Sequence, residues 1–137
     1  MFKFSKKSLK KLEGLHPNLQ NFFMELIKIS PYDFSITQGI RTAEEQNKLY
    51  QQGRTMPGKI VTNCDGYKLK SNHQTKSDGL GHAGDIAVLV NNKITWEEKY
   101  YKEVAISARI LMQKYNIKWG GDWKNFKDLP HFEYKGE

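Results

Sequence analysis

The sequence predicts an α+β domain in which helices come first and a small antiparallel sheet with one crossing helix follows. Three observations carry that expectation. In the first thirty residues apolar positions recur at helical spacing, with Leu19, Phe22, Phe23, Leu26 and Ile27 at i, i+3, i+4, i+7 and i+8. Further on the pattern turns to β-branched runs bounded by Asn and Gly turns. The chain has 137 residues, 38% of them apolar, including seven Phe, seven Tyr and three Trp, so 1–137 forms one domain with a real core.

The elements follow in order. Residues 5–13 read as a short helix capped by Ser5 or Ser8, with Leu9 and Leu12 on its inner face. Pro17 opens the second helix and Pro31 stops it. From Tyr32 to Ile40, Tyr32, Phe34, Ile36 and Gln38 alternate with Asp33, Ser35 and Thr37, as in a strand. Thr42 caps the next helix, Glu45 completes a capping box, and Gly53 ends it. Residues 54–81 keep no period, and a loop of that length in a small domain is usually functional or disordered. A hairpin then joins His82–Val90 to Lys93–Trp96 through Asn91-Asn92. Residues 97–115 form a helix that buries Tyr100, Val104, Ser107/Ala108, Leu111 and Tyr115. Ile117-Lys118-Trp119, a Gly120-Gly121 turn, a Trp123/Phe126 loop and a strand from His131 to Tyr134 complete the chain.

Composition narrows the chemistry. Cys64 is the only cysteine, so no intrachain disulfide forms, which fits a reducing compartment. Cys64 lies in a turn without His or Cys at ligand spacing and reads as a plain loop residue. No stretch approaches the ~18 apolar residues of a membrane span, and the basic N-terminus has no apolar region after it, so neither a span nor a cleaved signal is expected. The net charge of +7 favours polyanionic partners, among them an acidic cell wall. Without stacking motifs or a recognition helix, nucleic acid is not expected as a partner.

Two histidines and two aspartates carry the strongest signal. His73 precedes the hairpin, Asp85 interrupts the apolar run Ala83 to Val90, and His131 opens the last strand. A carboxylate inside such a strand needs a positive partner, and a metal ion is a good one. His/Asp/His is a three-ligand set suited to catalytic Zn²⁺, which keeps a further position for water. Asp128, three residues before His131, is a ready general base. His16, ahead of a Pro-started helix, looks structural. His82 lies three residues from Asp85 and can stand in for His73; strand parity turns 82 and 85 to opposite faces, which favours His73 as the ligand.

These residues resemble a known family of zinc peptidases, comprising bacterial D-Ala-D-Ala carboxypeptidases and dipeptidases and phage L-alanyl-D-glutamate peptidase endolysins. The matching pattern is Ser71-x-His73, Gly81-x-Ala83-x-Asp85 and Asp128-x-x-His131-Phe132-Glu133, with five extra residues, Lys76 to Leu80, between His73 and Gly81. Thr37 to Thr42 with Gln46 resembles the family's strand end bearing an active-site arginine, here Arg41, and Gly120-Gly121-Asp122-Trp123 resembles the segment before the last ligand. The likeness spans residues 30–135 and implies the carboxypeptidase-like fold, with the zinc site on the small sheet.

The resemblance also implies roles. Zn²⁺ would bind His73, Asp85 and His131; Asp128 would be the base, its shorter side chain matching the phage branch; Arg41 would stabilise the oxyanion. Glu133 would support a ligand imidazole or face solvent. Gln38, His82, Asp122 and Trp123 would line the substrate cleft. The implied function is a peptidoglycan endolysin cutting the L-Ala–D-Glu bond, working as a monomer, made in the host cytoplasm and released to the wall through a holin. A D-Ala-D-Ala carboxypeptidase or dipeptidase, which would ordinarily need export, and a non-catalytic zinc- or wall-binding module are the alternatives.

Overall fold

The computed structural model describes residues 1–136. Helix α1, Lys6–Leu12, starts where the Ser5 hydroxyl accepts the Ser8 N–H. Its inner face carries Ser8 and Leu12, while Leu9, expected there, is exposed. Ser8 is inside because its hydroxyl accepts the Ile36 N–H of the neighbouring strand at 3.0 Å, a bond leucine cannot make. Helix α2, Pro17–Ile29, buries the expected stripe of Leu19, Phe22, Phe23, Leu26 and Ile27. Its cap is His16, whose Nδ1 accepts the Asn18 N–H at 3.1 Å.

Strand β1, Asp33–Gln38, buries Phe34 and Ile36. Helix α3, Ala43–Gln51, begins with the full Thr42–Glu45 capping box, a device worth about 1 kcal/mol. Strands β2, Ala83–Val90, and β3, Lys93–Thr95, form the hairpin, with Asn91 and Asn92 both at positive φ as a type I′ turn needs. Helix α4, Glu98–Tyr115, buries Tyr101, Val104, Ala105, Ala108, Leu111 and Met112. The stripe is turned by one residue from the expected one at its start: Tyr101 goes inside, where its hydroxyl accepts Val88 N–H and donates to Thr95 O. Strand β4, Ile117–Trp119, a 3₁₀ turn over Gly120–Asp122, and strand β5, His131–Tyr134, follow.

The sheet order is β1-β2-β5-β4, with β3 also on β2 and all pairings antiparallel. The α+β expectation holds. Strand β2 is the hub, and its two faces have different duties. Ile86 and Val88 join the core built by α2 and α4, and Gly84 lies on that side because a Cβ there would sit 2.8 Å from the Phe23 ring. Asp85, one residue on, points to the other face, directly opposite His131 in the β2–β5 register. Between Ile36 and Gln38 the β1 register shifts, a bulge that redirects the chain into Gly39–Arg41 beside the site.

Behind the sheet the His16 ring stacks on Tyr134 at 3.9 Å and meets His82 edge-on at 5.4 Å. Burial, then the neighbouring His82, push the His16 pKa below its ordinary value, with Asp78 opposing. The folded protein therefore resists protonating His16 more than the unfolded chain does. That contribution to stability is present above the unfolded value of ~6.5 and is lost as pH falls through the lowered folded value. His16→Asn keeps a capping side chain that does not titrate. It should flatten the fall in unfolding free energy as pH drops below about 6.5, measured by urea denaturation; parallel curves for the two proteins would refute this.

Candidate metal centre and active-site cleft

His73, Asp85 and His131 each present one ligand atom, all within 4.8 Å of one another. His73 Nε2 lies 3.3 Å from Asp85 Oδ1, and His131 Nδ1 lies 2.9 Å from the same oxygen. The three come from different parts of the chain, and each is fixed by its surroundings. Asp85 and His131 face one another by strand register. His73 sits at the end of the long loop, clasped by the segment after the β1 bulge: its Nδ1–H donates to Gly39 O at 3.0 Å, and its carbonyl accepts Arg41 N–H at 2.8 Å. Gly39 fits because a Cβ there would lie 2.2 Å from Lys11 O.

The far nitrogen of His131 is held as well. Nε2–H donates to Glu133 Oε1 at 2.7 Å, and the other oxygen of Glu133 accepts from Asn72 Nδ2 at 3.0 Å. Asn72 in turn accepts from Lys76 Nζ at 2.6 Å. Both imidazoles therefore commit one nitrogen to an oxygen acceptor and turn the other towards Asp85, the orientation that metal-binding histidines take.

The three groups are also coupled by charge. Burial alone would raise the Asp85 carboxyl, but hydrogen bonds from His131 and His73 outweigh it and hold it well below the usual carboxylate range. Burial pulls the His131 imidazole down, while its bonds to Asp85 and Glu133 raise it to about 9. Glu133 is lowered by His131 against the pull of burial. The donor set, two imidazole nitrogens and one carboxylate converging on a shared centre, fits a divalent ion of the borderline class.

The centre opens into a cavity of about 780 Å³ that also takes in Arg41, Trp123 and Asp128. Asp128 Oδ2 stands 4.0 Å from His131 Nδ1. Burial, then the charge of Asp85, push the Asp128 carboxyl above its ordinary value. Its backbone is pinned on both sides: Asp128 N–H donates to Gly120 O at 3.1 Å, and Asp128 O accepts His131 N–H at 3.1 Å. Arg41 is half-buried, and burial lowers its pKa while Asp85 supports its charge. Its guanidinium donates to two neutral acceptors, Gln46 Oε1 at 2.7 Å and Gln38 Oε1 at 3.3 and 3.4 Å. That uses three of its five N–H donors.

Of the expected cleft residues, Trp123 lines the cavity, with its ring 5.1 Å from His131. Gln38 does not line it and reaches it only through Arg41. His82 and Asp122 are elsewhere. His82 faces the back of β2, where Nε2 pairs with Asp78 at 2.8 Å, so it is neither a ligand nor a cleft wall. Asp122 is turned outward by the 3₁₀ helix and forms a two-pronged ion pair with Arg109 of α4. Sequence reasoning left Gln46 without a role. It is fully buried, accepts from Arg41, and donates to Thr62 Oγ1 at 3.2 Å and Cys64 O at 2.9 Å, so it ties the arginine to the loop wall. A polar residue on the inner face of α3 was the available signal. For Gly39, which acts through its carbonyl, there was none.

The model of the phage L-alanyl-D-glutamate peptidase family matches residues 1–135. The chain belongs to this family. It is 38% identical to the peptidoglycan L-alanyl-D-glutamate endopeptidase CwlK of Bacillus subtilis (strain 168), in an alignment covering 74% of this chain and 60% of that protein. With the L-alanyl-D-glutamate peptidase of Escherichia phage T5 it shares 31% identity over 98% of this chain and 90% of the relative. The chain thus spans 60% of the length of one curated relative and nearly all of the other. Among solved structures, the Serratia marcescens L-Ala D-Glu endopeptidase ChiX superposes with a TM-score of 0.76 at 27% identity, covering 97% of this chain and 90% of that one. The expected carboxypeptidase-like fold is therefore present. No helix among the described residues is long and apolar enough to cross a membrane.

The outer support of the centre is testable. Glu133→Gln keeps the shape but weakens the acceptor for His131, and should lower metal affinity about 10- to 100-fold with an unchanged circular dichroism spectrum. Competition with a coloured chelator measures it, and wild-type affinity would show that Glu133 does not support the site.

Proposed function

We propose that this protein is a zinc-dependent peptidoglycan endopeptidase that hydrolyses the L-Ala–D-Glu bond of the stem peptide. The observation that carries the reading is the convergence of His73, Asp85 and His131 within 4.8 Å, with Asp128 and Arg41 in the same cavity. Membership of the family and the names of the relatives supply the substrate class. The donor set, with no thiolate and room for a water ligand, supports zinc as the ion.

An ion in this site supplies Lewis acidity, which makes water nucleophilic near neutral pH and polarises a carbonyl. The rest is done by the chain. Asp128 accepts the proton of the attacking water and delivers it to the departing nitrogen, a duty helped by its raised pKa. Arg41 turns its two uncommitted N–H groups to the oxygen that gains charge as the carbonyl becomes tetrahedral. Because Gln46 and Gln38 are neutral acceptors, the arginine keeps its full charge for that oxygen. Trp123 walls the site beside His131. One chain supplies every residue, which fits a monomer, and the net charge of +7 suits an anionic wall. Synthesis in a host cell and release to the wall through a holin fit this activity.

Asp128→Ala should abolish turnover, by at least ~100-fold, while the metal content stays at the wild-type level; His131→Ala should lose the metal. Mass spectrometry of muropeptides digested with and without a chelator names the bond cut. Release of D-alanine alone would make this a D,D-carboxypeptidase, and near-wild-type turnover by Asp128→Ala would remove Asp128 from the mechanism.

A further inference from the structure

Two lysines in the cleft have no assigned task. Lys70 stands on the wall that leads to His73, and Lys127 immediately precedes Asp128; both line the cavity. Among the described residues no ion pair engages either. Two of the cavity's three carboxylates are otherwise occupied, Asp85 by the two imidazoles and Glu133 by His131 and Asn72, and the third, Asp128, stands against His131. Asp122, the carboxylate that senses Lys127 on its own loop, is held by Arg109. With Arg41 the cavity has three cations against three carboxylates, so a bound dication tips it positive and suits an anionic ligand.

The substrate class in the proposed function, on which this inference rests, has such an anion. A D-glutamate acylated on nitrogen has two carboxyl groups and can continue the chain through only one, so the other stays a free carboxylate. When the chain continues through the side chain, that carboxylate shares a carbon with the nitrogen that Asp128 protonates. Its partner must therefore stand within a few ångströms of the proton path. Lys127 is adjacent to Asp128 along the backbone, about 3.8 Å from Cα to Cα, and its exposed side chain lines the same cavity as Asp128. We infer that Lys127 is a specificity-determining residue that binds the free carboxylate of the D-glutamate on the leaving side of the scissile bond.

The test uses the metal-loaded full chain and two synthetic peptides containing L-Ala–D-Glu, one with the free α-carboxylate and one with its primary amide. Wild type should prefer the acid about tenfold in kcat/KM, the scale of one charge-assisted contact. Lys127→Met should bring the acid-to-amide ratio to about one, whereas Lys70→Met should keep the wild-type ratio. Calorimetric binding of the two peptides to Asp128→Asn protein, with and without Lys127→Met, should give the same pattern in Kd, independent of turnover. High salt should shrink the preference in wild type alone. A wild type that does not discriminate, or a Lys127→Met protein that still does, overturns the inference, as does loss of discrimination in Lys70→Met. Failure to cut either peptide between alanine and glutamate instead brings down the proposed activity, and this inference with it.

Discussion

A single carboxylate organises this protein. Asp85 is held in the central strand of the sheet, mostly out of water, and a charge there is costly without compensation. Two imidazoles supply it, one delivered by strand pairing and one by a loop that the β1 bulge holds in place. Removing either would leave the charge poorly matched, which is why the Gly39 carbonyl and the Glu133 carboxylate matter although neither touches Asp85. The same strand needs Gly84 bare so that Phe23 can pack. Core and chemistry therefore meet at adjacent residues, and neither can shift without the other.

How much of this was legible in the sequence depended on what kind of signal each residue gives. Asp85 stood out because a charge inside an apolar run contradicts its surroundings, and a functional site is a common reason for such a contradiction. The helix of Pro17 and the capping box at Thr42 were readable because local chemistry alone dictates them. The inner stripe of α4 was displaced at its first turn because Tyr100 and Tyr101 both satisfy helical spacing; only the hairpin groups awaiting a hydroxyl decide between them. Asp122 is expected in the cleft because Gly120 to Trp123 resembles the family's segment before the last ligand, but a 3₁₀ turn sends neighbours in different directions. The roles of Gly39 and Asn72 depend on tertiary placement of a carbonyl and an amide, which no side-chain pattern announces.

The five residues Lys76 to Leu80 are more than a tolerated excursion. They close on themselves, with Lys76 N–H bonded to Leu80 O and Gly79 N–H bonded to Lys76 O. Two of their neighbourhood's polar groups dock back onto the body, Lys76 on Asn72 and Asp78 on His82. The first contact ends, through Asn72 and Glu133, at His131; the second braces the start of β2 beside His16. A short hairpin thus supports the centre from both faces of the sheet without entering the cleft.

The pairing of β2 with β5 has a consequence for how the protein reaches its working form. Asp85 lies opposite His131, and Ala83 opposite Glu133. Sliding one strand by a single residue would turn the ligand face into the core, while sliding it by two residues in one direction would oppose Asp85 to Glu133, acid to acid. Neither misaligned sheet assembles the three ligands. The cluster therefore acts as a gauge of strand alignment: His73, Asp85 and His131 come within 4.8 Å of one another only when hairpin, bulge and closing strand are all correctly placed.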